Sequence, residues 1–258
     1  MNPTLEPNTS PSLNPTPALE LREVNKSFNG KVALEKLSLS VRQGELYALL
    51  GSNGAGKTTT LRMVAGLLEP DSGQISILGH DVALEPEQAK RPLAYLPDDP
   101  LLYAKLRPME YLEFVAGLWG LEPRASEKKA RELLEWLDLW KNKDELTEGF
   151  SRGMKQKLAL AGALVHEPRV MILDEPLTGL DAGAARQVKD LLVSFTQGGG
   201  TVILTTHILE VAERLAQRIG ILSGCRLIAE GTLEQLRTRS GENSLEDVFL
   251  EITHEVSP

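Results

Sequence analysis

Gly51 and Gly56, with four residues between them, lead directly into Lys57 and Thr58. Those types at that spacing suit a polyphosphate. Glycines let successive backbone N–H groups curl inward as an anion nest, because no Cβ obstructs positive φ. A helix starting there adds unpaired N–H groups and the positive end of its dipole. Lys57 is placed to reach β- and γ-phosphates, and the Thr58 hydroxyl to hold Mg²⁺. Ser52, Asn53, Gly54 and Ala55 complete the loop, and Thr59 continues the helix start. An apolar run precedes the segment and a helical pattern follows, which sets aside a chance Gly-rich turn.

A second cluster lies far along the chain. Val170-Met-Ile-Leu-Asp174-Glu175 is a buried-strand pattern ending in two acids. Alone, such an ending reads as a solvated turn. In an open α/β sheet, however, the ligand crevice lies at the carboxyl ends of strands. Asp174 there can hold Mg²⁺, and Glu175 can orient and deprotonate an attacking water. His207 follows another apolar strand. His80, His166, His254 and Cys225 carry no such context and read as surface or cap residues.

These residues need a scaffold of alternating strands and helices. Residues 19–24 and 37–41 alternate at period two, 46–50 form a continuous apolar run, and 58–68 have helical spacing. Strand character returns at 74–78 and 93–96. From about 100 to 166 the pattern is helix after helix, with segments at 110–118, 126–139 and 151–164. Strand–helix alternation resumes from 170 to 215, as in a parallel sheet. Residues 219–222 and 226–229 flank Ser223-Gly224 as a hairpin, and Thr232 with Gln235 forms a capping-box pattern. Ser244 and Asp247 are placed to cap a last helix.

The composition narrows the function classes. The 258 residues carry a formal net charge of −8 and one cysteine. The acidic balance argues against a broad nucleic-acid surface, which needs Lys and Arg against phosphates. A lone cysteine excludes an intrachain disulfide or a thiolate cluster. No apolar run approaches the roughly 20 residues that span a bilayer. Residues 1–18, rich in Pro, Asn, Thr and Ser, read as a disordered tail and not as a signal peptide. The expectation is a soluble, cytoplasmic chain whose membrane role comes through a partner.

Taken in order, the motifs resemble the ATP-binding subunits of ABC transporters from about residue 19 to 251. Phe28 resembles the aromatic that stacks on adenine in that family, the alternative being a core aromatic. Phe150-Ser-Arg-Gly-Met-Lys-Gln156 stands where the family signature lies, Gly179-Leu-Asp181 resembles the D-loop, and Thr205-Thr-His207 the switch histidine. The resemblance implies an α/β fold with a RecA-like P-loop NTPase core (19–97 and 167–240). It also implies N-terminal antiparallel strands, an inserted helical subdomain (98–166) and a C-terminal helix (241–258).

It implies ATP and Mg²⁺ as cofactors, and a head-to-tail dimer in which ATP is sandwiched between chains. Ser151 and Gly153 of one chain close on the phosphates held by residues 51–58 of the other. Asp181 links the sites, and His207 positions Glu175 and the water. Two departures stand out. Arg152 and Met154 replace a Gly and a Gln of the signature, and Asp98 stands where a Gln begins the Q-loop. Asp98 is then either a further metal ligand or only a loop acid.

With Leu245-Glu-Asp-Val-Phe-Leu250, these departures resemble the branch serving ABC-2-type exporters. There the ATPase is a separate chain, peripheral on the cytoplasmic face, as a homodimer or heterodimer bound to a membrane permease. The helical block would receive a permease helix, with Tyr103, Tyr111, Phe114 and Trp119 as aromatic candidates and core packing as their commoner use. A soluble ATPase acting on ribosomes or DNA is the alternative, and a kinase-like use of the loop leaves His207 and the signature without a role.

Overall fold

The computed structural model describes residues 16–240 and 244–254. The expected tail lies outside the described residues as far as residue 15. Ala18, by contrast, is buried, and its N–H donates to Val41 O.

The chain opens with β1 (Leu19–Phe28), β2 (Lys31–Val41) and β3 (Leu46–Gly51), followed by α1 (Lys57–Val64). Next come β4 (Ser72–Ile77), β5 (His80–Asp81), α2 (Pro86–Lys90) and β6 (Leu93–Leu96). The helical stretch holds α3 (Pro108–Leu118), α4 (Pro123–Trp136) and α5 (Arg152–Leu164), with short 3₁₀ turns at Trp140–Asn142 and Thr147–Gly149. Then follow β7 (Val170–Asp174), α6 (Ala182–Gln197), β8 (Thr201–Thr206) and α7 (Leu209–Leu215). The hairpin β9 (Arg218–Ser223) and β10 (Arg226–Gly231) leads to α8 (Leu233–Ser240) and α9 (Leu245–His254).

Two sheets result. An antiparallel sheet runs β2-β1-β4-β5, and a larger one runs β10-β9-β3-β8-β7-β6. In the larger sheet β9, β3, β8, β7 and β6 pair in parallel, so their carboxyl ends share one edge. The continuous apolar runs of β3 and β7 are explained by burial on both faces. Leu46, Ala48, Leu50, Met171 and Leu173 enter one core with α3, α4, α5 and α6. Tyr47, Leu49, Val170 and Ile172 enter the other with α1 and the antiparallel sheet. Strand period two splits each run between two cores.

Local signals account for several boundaries. Thr232 and Gln235 exchange reciprocal bonds of 2.9 and 3.2 Å at the start of α8, as the capping box requires. Asp247 N donates to Ser244 Oγ at the start of α9. Helix α1 ends at Val64, short of the expected residue 68. Gly66 turns to φ 63° and Leu67 N–H reaches back to Arg62 O, which closes the helix. Helix α4 starts at Pro123 and not at residue 126, because Glu122 accepts from Ala125 N and Pro fits the first turn. In the β9–β10 hairpin the positive-φ pair is Gly224-Cys225, one residue later than expected. The sequence pattern had no signal for β5 or α2, which are too short for periodicity.

One side chain of the helical stretch falls otherwise than expected, and the aromatic candidates divide between packing and exposure. His166 stacks on Trp119 with centroids 3.9 Å apart and donates through Nε2 to Leu93 O at 3.1 Å, so it is not a surface residue. Tyr111 packs its hydroxyl edge against Gly162 of α5, whereas Tyr103 and Phe114 pair edge-on at 5.0 Å and stay exposed.

Candidate nucleotide site

Strands β3, β8, β7 and β6 are neighbours, and the loops leaving their carboxyl ends carry residues 51–58, His207, Asp174 with Glu175, and Asp98. The topology therefore gathers four segments that are remote in sequence. A cavity of about 230 Å³ is lined by Ala33, Ser52, Asn53, Gly54, Gly56, Lys57, Thr58, Thr59, Asp98, Asp174 and Glu175.

The loop's shape depends on its glycines at two points. Gly56 has φ 108°, and a Cβ there would meet Leu34 Cδ2 at 2.6 Å and Ala33 O at 2.7 Å. A Cβ on Gly51 would meet Leu222 O at 2.7 Å. Gly56 is also the N-cap of α1 and supplies no side-chain hydrogen bond, so the first N–H groups of the helix are left for a ligand. Ala55 is buried in the core beside the loop. Lys57 is 7% exposed, and its ammonium donates to Gly51 O at 2.7 Å and Ser52 O at 3.3 Å. It lies 3.8 Å from Glu175 Oε1.

Opposite stand the acids. Asp174 is 2% exposed and accepts from Thr205 Oγ1. Glu175 takes the left-handed conformation at φ 49°, uncommon for a residue with a Cβ. Thr205 holds it there, accepting the Glu175 N–H through Oγ1 at 3.1 Å and through its carbonyl at 3.2 Å. The turn sends the carboxylate back over the cavity, where Oε2 accepts from Thr178 Oγ1 at 3.2 Å. His207 Nδ1 lies 2.9 Å from the same oxygen, and a carboxylate only accepts, so Nδ1 carries the hydrogen.

Asp98 also faces these acids. Its carboxyl is pushed above its ordinary value, chiefly by loss of hydration and further by Asp174, Glu175 and Asp99, while Arg152 pulls the other way.

The residues fit a nucleotide phosphate and a hard cation. One wall carries a buried ammonium and uncapped helix N–H groups, which attract anions. The other carries Thr58 and carboxylate oxygens, the donors that Mg²⁺ prefers. Among the described residues no group of His, Cys, Asp and Glu could by itself hold a metal ion.

Ser151, Gly153 and Asp181 are elsewhere. They line a second cavity with Asp138, Lys157 and Gln187, which shares no residue with the first. Ser151 caps α5, accepting from Met154 N at 3.2 Å, and Asp181 caps α6, accepting from Ala184 N at 2.9 Å. Gln156 ties α5 to the loop after β7 by donating to Pro176 O. Phe28 ends β1 46% exposed, with the Lys26 ammonium 5.5 Å from its ring centre, so it is not a core residue.

Sequence reasoning missed Thr205 and Thr178 as supports of the acids. A Thr at the end of a strand beside β7 was the available signal, but which strand lies beside β7 is a tertiary fact.

The family model described as ABC transporter matches residues 34–178. The daunorubicin/doxorubicin resistance ATP-binding protein DrrA of Streptomyces peucetius is 38% identical, covering 90% of this chain and 70% of that protein. The Nod factor export ATP-binding protein I of Burkholderia lata is 39% identical, covering 84% of this chain and 71% of that protein. A solved structure titled as an ATP binding subunit of an ABC transporter superposes with a TM-score of 0.85 at 36% identity, covering 92% of this chain and 99% of that one. With a P-loop NTPase fold and these relatives, the chain belongs to the ABC transporter family as an ATP-binding, ATP-hydrolysing subunit.

Proposed function

We propose that the chain works as a head-to-tail pair, each ATP held between residues 51–58 of one subunit and Ser151 with Gly153 of the other. One observation carries this reading. The two sets of residues that the resemblance directs at phosphates line two separate cavities of the same chain, which supports a site completed by a second chain. At about 230 Å³ the first is smaller than the usual ligand pocket of about 300–1,000 Å³. It has room for phosphates but leaves the rest of the nucleotide to exposed surfaces such as Phe28, which would stack on adenine.

Within that pair, Gly51, Ser52, Asn53, Gly54, Ala55, Gly56, Lys57, Thr58 and Thr59 cradle the phosphates. Thr58 and Asp174, with Asp98 as a further candidate, hold Mg²⁺, which when bound polarises the γ-phosphate. Glu175 accepts a proton from the attacking water, and His207 keeps the carboxylate aimed. Asp181, at the start of α6, links one site to the other.

ATP then binds the subunits together, and hydrolysis releases them. The partner moved by this cycle is a separate membrane permease, with the ATPase at its cytoplasmic face. Among the described residues no helix is long and apolar enough to cross a membrane. The inserted helical subdomain (98–166) would receive a permease helix. A groove of about 570 Å³ lined by Pro97, Leu101, Tyr111, Trp119 and His166 offers the surface. Resistance and export in the relatives' names support outward transport.

Lys57→Ala tests the site directly. Equilibrium binding of a fluorescent ATP analogue should weaken by roughly ten-fold or more, as for loss of a charged hydrogen bond; unchanged affinity would overturn the reading. Copurification in detergent tests the partner, and consistent absence of a membrane subunit would count against transport.

A further inference from the structure

The two departures from the family pattern meet each other. Arg152 Nη2 lies 3.6 Å from Asp98 Oδ1. The same guanidinium rests on Gly179, where a Cβ would stand 3.0 Å from Cζ. One side chain at the start of α5 thus touches the loop after β6 and the loop before α6. The charge pattern explains why an arginine is useful there. Asp98, Asp174 and Glu175 all line the phosphate cavity, and Lys57 is the one cation among its lining residues. A triphosphate entering that cavity meets three carboxylates. Asp174 and Glu175 have Thr205, Thr178 and His207 as hydrogen-bond partners, whereas Asp98 faces the phosphate side with Arg152 beside it.

We infer that Arg152 is a positioning residue of the ATPase site, neutralising Asp98 of its own chain so that this third carboxylate does not repel the incoming phosphates. The role acts in cis, before any second subunit closes. It rests on the ATP-site reading above but on none of the dimer geometry. Because both side chains are more than half exposed, the pair is worth a few-fold in affinity and not more.

The test is equilibrium binding of a fluorescent ATP analogue to the full chain in EDTA at low protein concentration, so that any hold of Asp98 on Mg²⁺ does not enter. Arg152→Ala should weaken binding about three-fold at low salt, with the difference shrinking as ionic strength rises. Arg152→Lys should stay near the parent, since it keeps the charge while losing the flat contact on Gly179. Adding Asp98→Asn to Arg152→Ala should remove the deficit, so that the double variant matches Asp98→Asn alone.

Thermal melting screens each variant for folding, and Arg152→Gln replaces the Ala variant if that one misfolds. Unchanged affinity in Arg152→Ala, or a deficit that persists with Asp98→Asn, overturns the proposal. A deficit that Lys does not repair also overturns it in favour of a packing role. Lys57→Ala runs alongside: if it binds normally, the ATP-site reading has failed, whatever Arg152 does.

Discussion

The carboxylate of Glu175 and the imidazole of His207 meet at 2.9 Å, and the His207 N–H donates to the same Oε2 at 3.3 Å. The histidine therefore grips the acid through ring and backbone together. Glu175 Oε1 is left facing Lys57 and the cavity. An acid held this way is placed to take a proton, and its partner is placed to keep it aimed.

Glu175→Gln should retain ATP binding while phosphate release falls by roughly 10²–10⁴-fold, the usual contribution of a positioned base. ATP without hydrolysis should then trap a dimer visible by size-exclusion chromatography. Turnover at the parent rate would remove Glu175 as the base.

Ser151 has two separable uses. Its Oγ caps α5, and on the proposed reading it also touches the partner's phosphates. Ser151→Ala should cost about 1 kcal/mol of stability, whereas Ser151→Gly should cost only a few tenths. Both should impair hydrolysis more than ATP binding by the monomer. If the glycine variant hydrolyses ATP normally, Ser151 is a helix cap and nothing more.

Asp174→Asn keeps an oxygen for the Thr205 hydroxyl but loses the charge. ATP binding with Mg²⁺ should weaken about ten-fold or more, while binding in EDTA should change little. Identical Mg²⁺ dependence in variant and parent would place the metal elsewhere.

His166 gives a pH prediction. Burial holds its imidazole below the ordinary value of 6.5, against the bond to Leu93 O, so the unfolded chain takes up the proton first. Stability is then complete above the unfolded value and lost as pH falls through it. The urea midpoint should drop between about pH 7.5 and 5.5, and His166→Gln should show a smaller drop. An equal drop in both proteins would assign the pH dependence to other groups.

Some of this was legible along the chain because its causes are local. The phosphate loop is one contiguous segment, so its glycines, lysine and threonine can be read together from their spacing alone. The same holds for the capping box of Thr232 and Gln235, where the partners are three residues apart. The apolar runs of β3 and β7 were equally plain, since burial on both faces leaves no polar alternation to read.

What the tertiary structure decided is everything that depends on which strand lies beside which. Thr205 reaches Asp174 and Glu175 only because β8 pairs with β7, and that pairing forces Glu175 into its left-handed turn. Likewise Arg152 meets Asp98 only because α5 packs against the loop after β6. No spacing in the sequence encodes those contacts. The tertiary packing also sends Ser151, Gly153 and Asp181 into a cavity of their own, because the N-termini of α5 and α6 meet where Gly153 lies against Asp181 and Ala184. Sequence motifs therefore named the candidate chemistry, while the order of strands in the sheet decided which of those residues share a cavity.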